Sequence, residues 1–168
     1  MKKESGFTLI ELMVVVSITM LLLVWGIPSY SSWKKKHDIE NQMVQLYGDL
    51  QFGRMTAYGN KVVSGVWWGG GSSFNSYQIR SDANSNGNID DTGTDTKIGA
   101  TVSPKCAITA SATQNSVSFD GRGFWNPSNA NPITFYVASS SGAAIDCVTV
   151  SSTRITLGKM NGGVCNPK

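Results

Sequence analysis

The chain has 168 residues, of which 15% are charged, with a formal net charge of +3. That length holds one ordinary domain plus one extra element. The mild charge gives composition no case for a nucleic-acid binder or a seeker of acidic surfaces, and the many Gly, Ser, Thr and Asn residues suit a turn-rich extracytoplasmic β domain.

The first six residues, MKKESG, form a short polar head with two lysines. Residues 7–27, FTLIELMVVVSITMLLLVWGI, follow with one charge, Glu11. As a helix this run spans about 30 Å, the thickness of a bilayer core. A conventional signal peptide places a small-residue cleavage site after its apolar run. Here PSYSSWKKKHD follows instead, so the segment is predicted to be retained. Glu11 then needs explaining, because a carboxylate within a membrane helix costs on the order of 3 kcal/mol and such residues usually have a partner. No basic residue lies close along the helix. Cleavage after Gly6 would give Phe7 an α-ammonium, and a neighbouring chain's ammonium would supply the missing charge. The alternative is a tolerated glutamate that snorkels to the interface.

KESG followed by FTLIELMVVVSI resembles the class III signal of type IV pilins and type II secretion pseudopilins. The motif covers about 20 residues and is highly specific. The resemblance implies cleavage between Gly6 and Phe7 by a prepilin peptidase, N-methylation of Phe7, and pairing of Glu11 with the new N-terminus of an adjacent subunit. It also implies an N-terminus in the cytoplasm, a single pass through the inner membrane and a head in the periplasm. Lys34, Lys35 and Lys36 oppose that orientation on a positive-inside count. The lysine run is read as a solvated helix face or a contact with lipid headgroups.

Beyond Pro28 an apolar stripe of Trp33, Ile39, Met43, Leu46, Tyr47, Leu50 and Ala57 follows helical spacing. Asp38, Glu40, Gln42, Gln45, Asp49 and Gln51 cover the other faces. The helix is predicted to run to about Tyr58, with Gly59-Asn60 as its stop and a loosening or kink at Gly26 and Pro28. The stripe is read as core packed on a sheet, with a groove for a partner helix as the alternative.

From Lys61 the period changes to two. Strands are predicted at 62–68, 76–80, 97–102, 116–119, 133–138, 145–150 and 154–157. One long helix followed only by strands gives an α+β fold: leader 1–6, membrane and polymerisation helix 7–27, amphipathic half 28–60, and β-rich head 61–168. SYQIRSDANSNGNIDDTG, SVSFDGRGFWNPSNANPITFYV and RITLGKMNGGVC resemble the GspH/FimT/FimU group of minor pilins and pseudopilins. That resemblance implies a helix packed on an antiparallel sheet and a subunit assembling with other pilins in a pilus or a secretion pseudopilus.

Asp82, Asn84, Asn86 and Asp90 occupy positions 1, 3, 5 and 9 of an EF-hand-like loop, with Gly87 at position 6. Such spacing converges hard oxygens on calcium. Gly93 stands where the bidentate Glu belongs, and no helices flank the loop, so the alternative is an Asx-rich hairpin turn. The three cysteines, Cys106, Cys147 and Cys165, lack the spacing of a zinc site. In an oxidising compartment they read as one disulfide and one spare thiol. Cys147 with Cys165 is favoured, because strands and a turn separate them. The other two pairings, and three reduced thiols, stay open.

Some FimT-type pilins are associated with DNA uptake, and the resemblance places a Gly-Arg-x-Arg-like motif at the C-terminal loop. This chain has Gly158-Lys159-Met160-Asn161 there, with Arg154 and Lys168 nearby. Two or three cations predict only weak, salt-labile binding. Trp67-Trp68 and Phe124-Trp125 are read as core or interface aromatics, with a carbohydrate or adhesive platform as the alternative. No nucleophile elbow or phosphate loop is present, and the single histidine, His37, lies outside the head. The chain is therefore predicted not to be an enzyme.

Overall fold

A computed structural model describes residues 6–89, 93–125, 132–138 and 142–168, with the backbone alone at 25–28. Helix α1 runs Leu9–Asn60, 52 residues including Pro28. Two compact units divide the chain, residues 1–35 and 36–168. In the first, every described apolar side chain of the helix is exposed, and the most apolar 18-residue window has a mean hydropathy of 2.4. Trp33, predicted as core, is 59% exposed; the buried stripe begins at Ile39.

In the second unit the strands are β1 (Ser64–Trp67), β2 (Ser73–Phe74), β3 (Tyr77–Ser81), β4 (Thr96–Val102), β5 (Ile108–Ala110), β6 (Ser116–Phe119), β7 (Ile133–Tyr136), β8 (Cys147–Val150), β9 (Ile155–Asn161) and β10 (Val164–Pro167). They form two antiparallel sheets, ordered β4-β3-β1-β6 and β10-β9-β8-β7-β5-β2. The expected antiparallel β head is divided between these two sheets. β2, β5 and β10 were not predicted, being too short or too interrupted by polar residues to show a period of two. Val62, Val63, Ile145 and Asp146 fall outside the strands.

Ile39, Met43, Leu46, Leu50 and Ala57 of α1 share one core with Val66, Tyr77, Ile79, Val117 and Phe119 of the first sheet and with Phe74, Ile108, Ile133, Phe135, Val148 and Val150 of the second. Removing each such aliphatic side chain from water contributes about 1.5–3 kcal/mol. Trp68 completes an aromatic cluster, stacked on Phe74 and edge-on to Phe135.

Gly65 permits this packing: a Cβ there would stand 2.0 Å from the Val117 carbonyl oxygen. Gly53 of α1 faces it, and a Cβ on Gly53 would lie 3.1 Å from the Gly65 Cα. Polar contacts seat the helix further. Asp38 pairs with Lys105 at 2.5 Å, the Gln42 amide exchanges two hydrogen bonds with the Cys106 backbone, and Glu40 accepts from the Ala144 N–H. The helix ends two residues later than predicted, taking in Gly59 and Asn60. Lys61 takes the left-handed conformation (φ 57°) that usually falls to Gly or Asn, its ammonium over the Tyr58 ring and donating to the Gly121 carbonyl.

Candidate assembly site

Helix α1 starts where its sequence caps it. Thr8 is the N-cap, and its Oγ1 accepts from the Glu11 N–H at 3.3 Å while Glu11 Oε2 accepts from the Thr8 N–H at 3.4 Å. This reciprocal capping box satisfies two donors that a helix start leaves over. The negative side chain also sits at the positive end of the helix. Gly6 and Phe7 remain outside the helix and exposed. Glu11 Oε1 takes no hydrogen bond among the described residues. A shallow groove of about 330 Å³ lies beside the carboxylate, lined by Thr8, Ile10, Glu11, Val14 and Val15. Sequence reading missed the capping box, although the T-x-x-E spacing signals it.

Along the rest of the apolar run, Ser17 and Thr19 turn their hydroxyls back onto the carbonyls of Met13 and Val15. These bonds hide the polar atoms from a surrounding without water.

The amphipathic half carries a second apolar face. Val44, Phe52, Met55 and Tyr58 are exposed, and at 100° per residue they lie roughly opposite the buried stripe. Sequence reading had given the faces beyond the core stripe to polar residues. Instead Gln42 is buried and this second stripe is open to solvent. Next to it, Arg54, Met55, Tyr58, Arg122, Gly123 and Phe124 line an open groove of about 320 Å³. Arg54 donates to the Gly123 carbonyl at 2.6 Å.

In the loop after β3, the buried Asp82 accepts from the N–H groups of Asn86 (3.2 Å) and Gly87 (2.7 Å). Asn84 and Asn86 each accept from the N–H two residues on, which are Asx turns. Asp90, the fourth proposed calcium ligand, lies outside the described residues. Among the described residues no three His, Cys, Asp or Glu side chains gather into a metal-sized cluster.

Cys147 and Cys165 form a disulfide, and Cys106 is a half-buried free thiol. The bond reaches from β8 to β10 past the intervening β9. Gly158 of β9 makes room, because a Cβ there would stand 2.8 Å from Cys165 Sγ and 2.3 Å from the Asn166 carbonyl oxygen. Arg154 precedes β9 and Lys159 lies far along it, both exposed. Five residues of extended chain separate them by about 16 Å, so the two cations do not converge. Trp68 and Trp125 are buried. Trp67 is half-buried under the Arg80 guanidinium, 4.1 Å from its ring centre. Phe124 is exposed beside Arg122.

Residues 42–154 match the family described as type II transport protein GspH, and residues 1–27 match the prokaryotic N-terminal methylation motif. This chain belongs to the GspH family. It is a minor pilin or pseudopilin of the type IV superfamily, as its leader had led us to expect. The type IV pilus subunit protein TapA of Aeromonas hydrophila is 56% identical over 36 residues, 21% of this chain and 25% of its own length. The prepilin peptidase-dependent protein D of Escherichia coli is 53% identical over 36 residues, with the same coverage. The chain therefore spans only a quarter of these relatives. The crystal structure of the type IV minor pilin FimU from Pseudomonas aeruginosa superposes with a TM-score of 0.51 at 13% identity, over 76% of this chain and 92% of that one. The α+β pilin fold is thereby shown.

Proposed function

We propose that this chain is a membrane-anchored subunit that assembles through α1 into a type IV pilus or a type II secretion pseudopilus. Prepilin peptidase cleaves between Gly6 and Phe7, and Phe7 is N-methylated. Before assembly the segment 7–27 crosses the inner membrane once, with the head in the periplasm. After extraction the same segment packs among those of neighbouring subunits, and Glu11 Oε1 takes the ammonium of a neighbour's Phe7.

The observation that carries this reading is the conjunction at the helix start. A helix exposed and apolar on every face holds one carboxylate, and the capping box engages only one of its oxygens. Acyl chains cover the apolar surface but carry no cation to pair with a carboxylate in the helix, whereas a neighbouring subunit supplies both. The exposed stripe of Val44, Phe52, Met55 and Tyr58 adds a further surface for neighbours.

The test is mass analysis of the chain recovered from membranes and from sheared filaments. The expected mature chain begins at N-methylated Phe7. Glu11→Leu is expected to stay in the membrane and disappear from the filament fraction. Full assembly of Glu11→Leu, or of a chain still carrying residues 1–6, would overturn the proposal.

A further inference from the structure

Where the apolar run ends, α1 carries a feature that cleavage and Glu11 leave unused. Tyr30 and Trp33 are 62% and 59% exposed, with ring centroids 6.1 Å apart. Lys34 and Lys35 are exposed and form no ion pair among the described residues. By helical spacing Tyr30, Trp33 and Lys34 share one face, with Lys35 to the side. Two aromatic rings and two ammonium groups thus leave the helix within two turns.

The geometry points to an anionic phospholipid site: Tyr30 and Trp33 lie among the headgroups of the outer leaflet while Lys34 and Lys35 hold their phosphates. The site rests on the membrane reading above and deepens it. Counting 1.5 Å per residue from Phe7, a core of about 30 Å ends near residue 27, which puts Tyr30 and Trp33 in the adjoining headgroup layer. Amphipathic rings favour that layer because one end is apolar and the other polar. Lysine stems lie along apolar surface and carry their charges to the phosphates. Headgroups are the occupant because the patch continues directly from the lipid-facing run, and its charge is opposite to theirs. The site also gives the lysines on the far side of the span a purpose that positive-inside counting denies them. Extraction into a filament would have to break these contacts, so the headgroups hold the subunit in place until that step.

The test uses the mature full-length chain in phosphatidylcholine vesicles with trace spin-labelled phosphatidylglycerol or spin-labelled phosphatidylcholine. The readout is the fraction of each label immobilised by the protein. At low salt the phosphatidylglycerol label is expected to be favoured by several-fold, at most about fivefold per lysine. The preference should collapse in 1 M salt, where the screening length falls to about 3 Å. Lys34→Gln with Lys35→Gln is expected to abolish it, and Lys34→Arg with Lys35→Arg to keep it. An inserted chain with no preference, or a preference untouched by the glutamine pair, overturns the lipid site and leaves the pilin reading standing. A chain that alkaline carbonate strips from the vesicles overturns both.

Discussion

The Tyr77 hydroxyl donates a 2.6 Å hydrogen bond to Asp49 Oδ2, joining β3 to the amphipathic half of α1. Tyr77 is buried in the core and Asp49 is half-buried on the helix. Desolvation, reinforced by the adjoining carboxylate, pushes the phenol far above its ordinary value. Tyr77→Phe leaves the carboxylate without its donor and should cost about 1–3 kcal/mol, read as a fall in urea midpoint of the detergent-solubilised chain. The pH dependence follows in sign. A group whose folded pKa is raised contributes stability that is whole below its unfolded value, about 10, and drains away as pH rises past it. Tyr77→Phe should flatten that alkaline limb.

Gly65 leaves no space for a side chain. Gly65→Ala drives a Cβ into the Val117 carbonyl and must part β1 from β6, where backbone and not a flexible side chain is in the way. A loss of about 1–3 kcal/mol or more is expected, as for other overpacked sites. Gly53→Ala meets the Gly65 Cα at a tight but less severe distance and should cost less. Thermal unfolding of the two variants side by side checks the order.

The Cys147–Cys165 bond should matter to the whole head, since it ties the last strand to β8. Cys165→Ser is expected to cost about 2–5 kcal/mol. Gly158→Ala should slow or reduce formation of the bond, because its methyl would occupy the space of Cys165 Sγ. Thiol counting under denaturing conditions distinguishes them: one free thiol in the parent, and more in a Gly158→Ala population.

Asp120 organises the turn after β6. Burial works against its charge, but hydrogen bonds from the N–H groups of Phe124 and Arg122 and from the Arg122 side chain win, holding its carboxyl below the usual range. A depressed folded pKa gives stability that is present above the unfolded value, about 3.9, and lost as pH falls through the folded one. Asp120→Asn should therefore narrow the stability gap between pH 7 and acid, measured as unfolding midpoints across that range.

The capping box makes a last prediction. Thr8→Ala should fray the first turn by about 1 kcal/mol, and Thr8→Ser should restore it. Amide exchange at Glu11, whose N–H donates to Thr8 Oγ1, and at Leu12, whose N–H donates to the Thr8 carbonyl, reports this directly in micelles.

Local chemistry made much of this protein legible before folding. The FTLIE start, the 21-residue apolar run and its single carboxylate are contiguous, so a bilayer-length segment and the leader motif that marks it are both legible in the sequence. The stripe from Ile39 to Ala57 and the α+β order followed from the change in period. The Cys147–Cys165 pair was preferred among three arrangements, and proximity in the fold decided it. Other features depend on partners distant in the chain. Two-residue β2 and three-residue β5 are strands only because a second sheet pairs them, and no period can be read in so few residues. Gly53 and Gly65 matter only because helix and strand meet there, and Gly158 only because a disulfide passes it. Val44, Phe52, Met55 and Tyr58 look like scattered apolar residues until the core claims the opposite face of α1 and leaves them uncovered. Sequence carries periodicity and contiguous motifs, whereas burial, close backbone approach and the choice between two apolar helix faces arise only when distant segments pack.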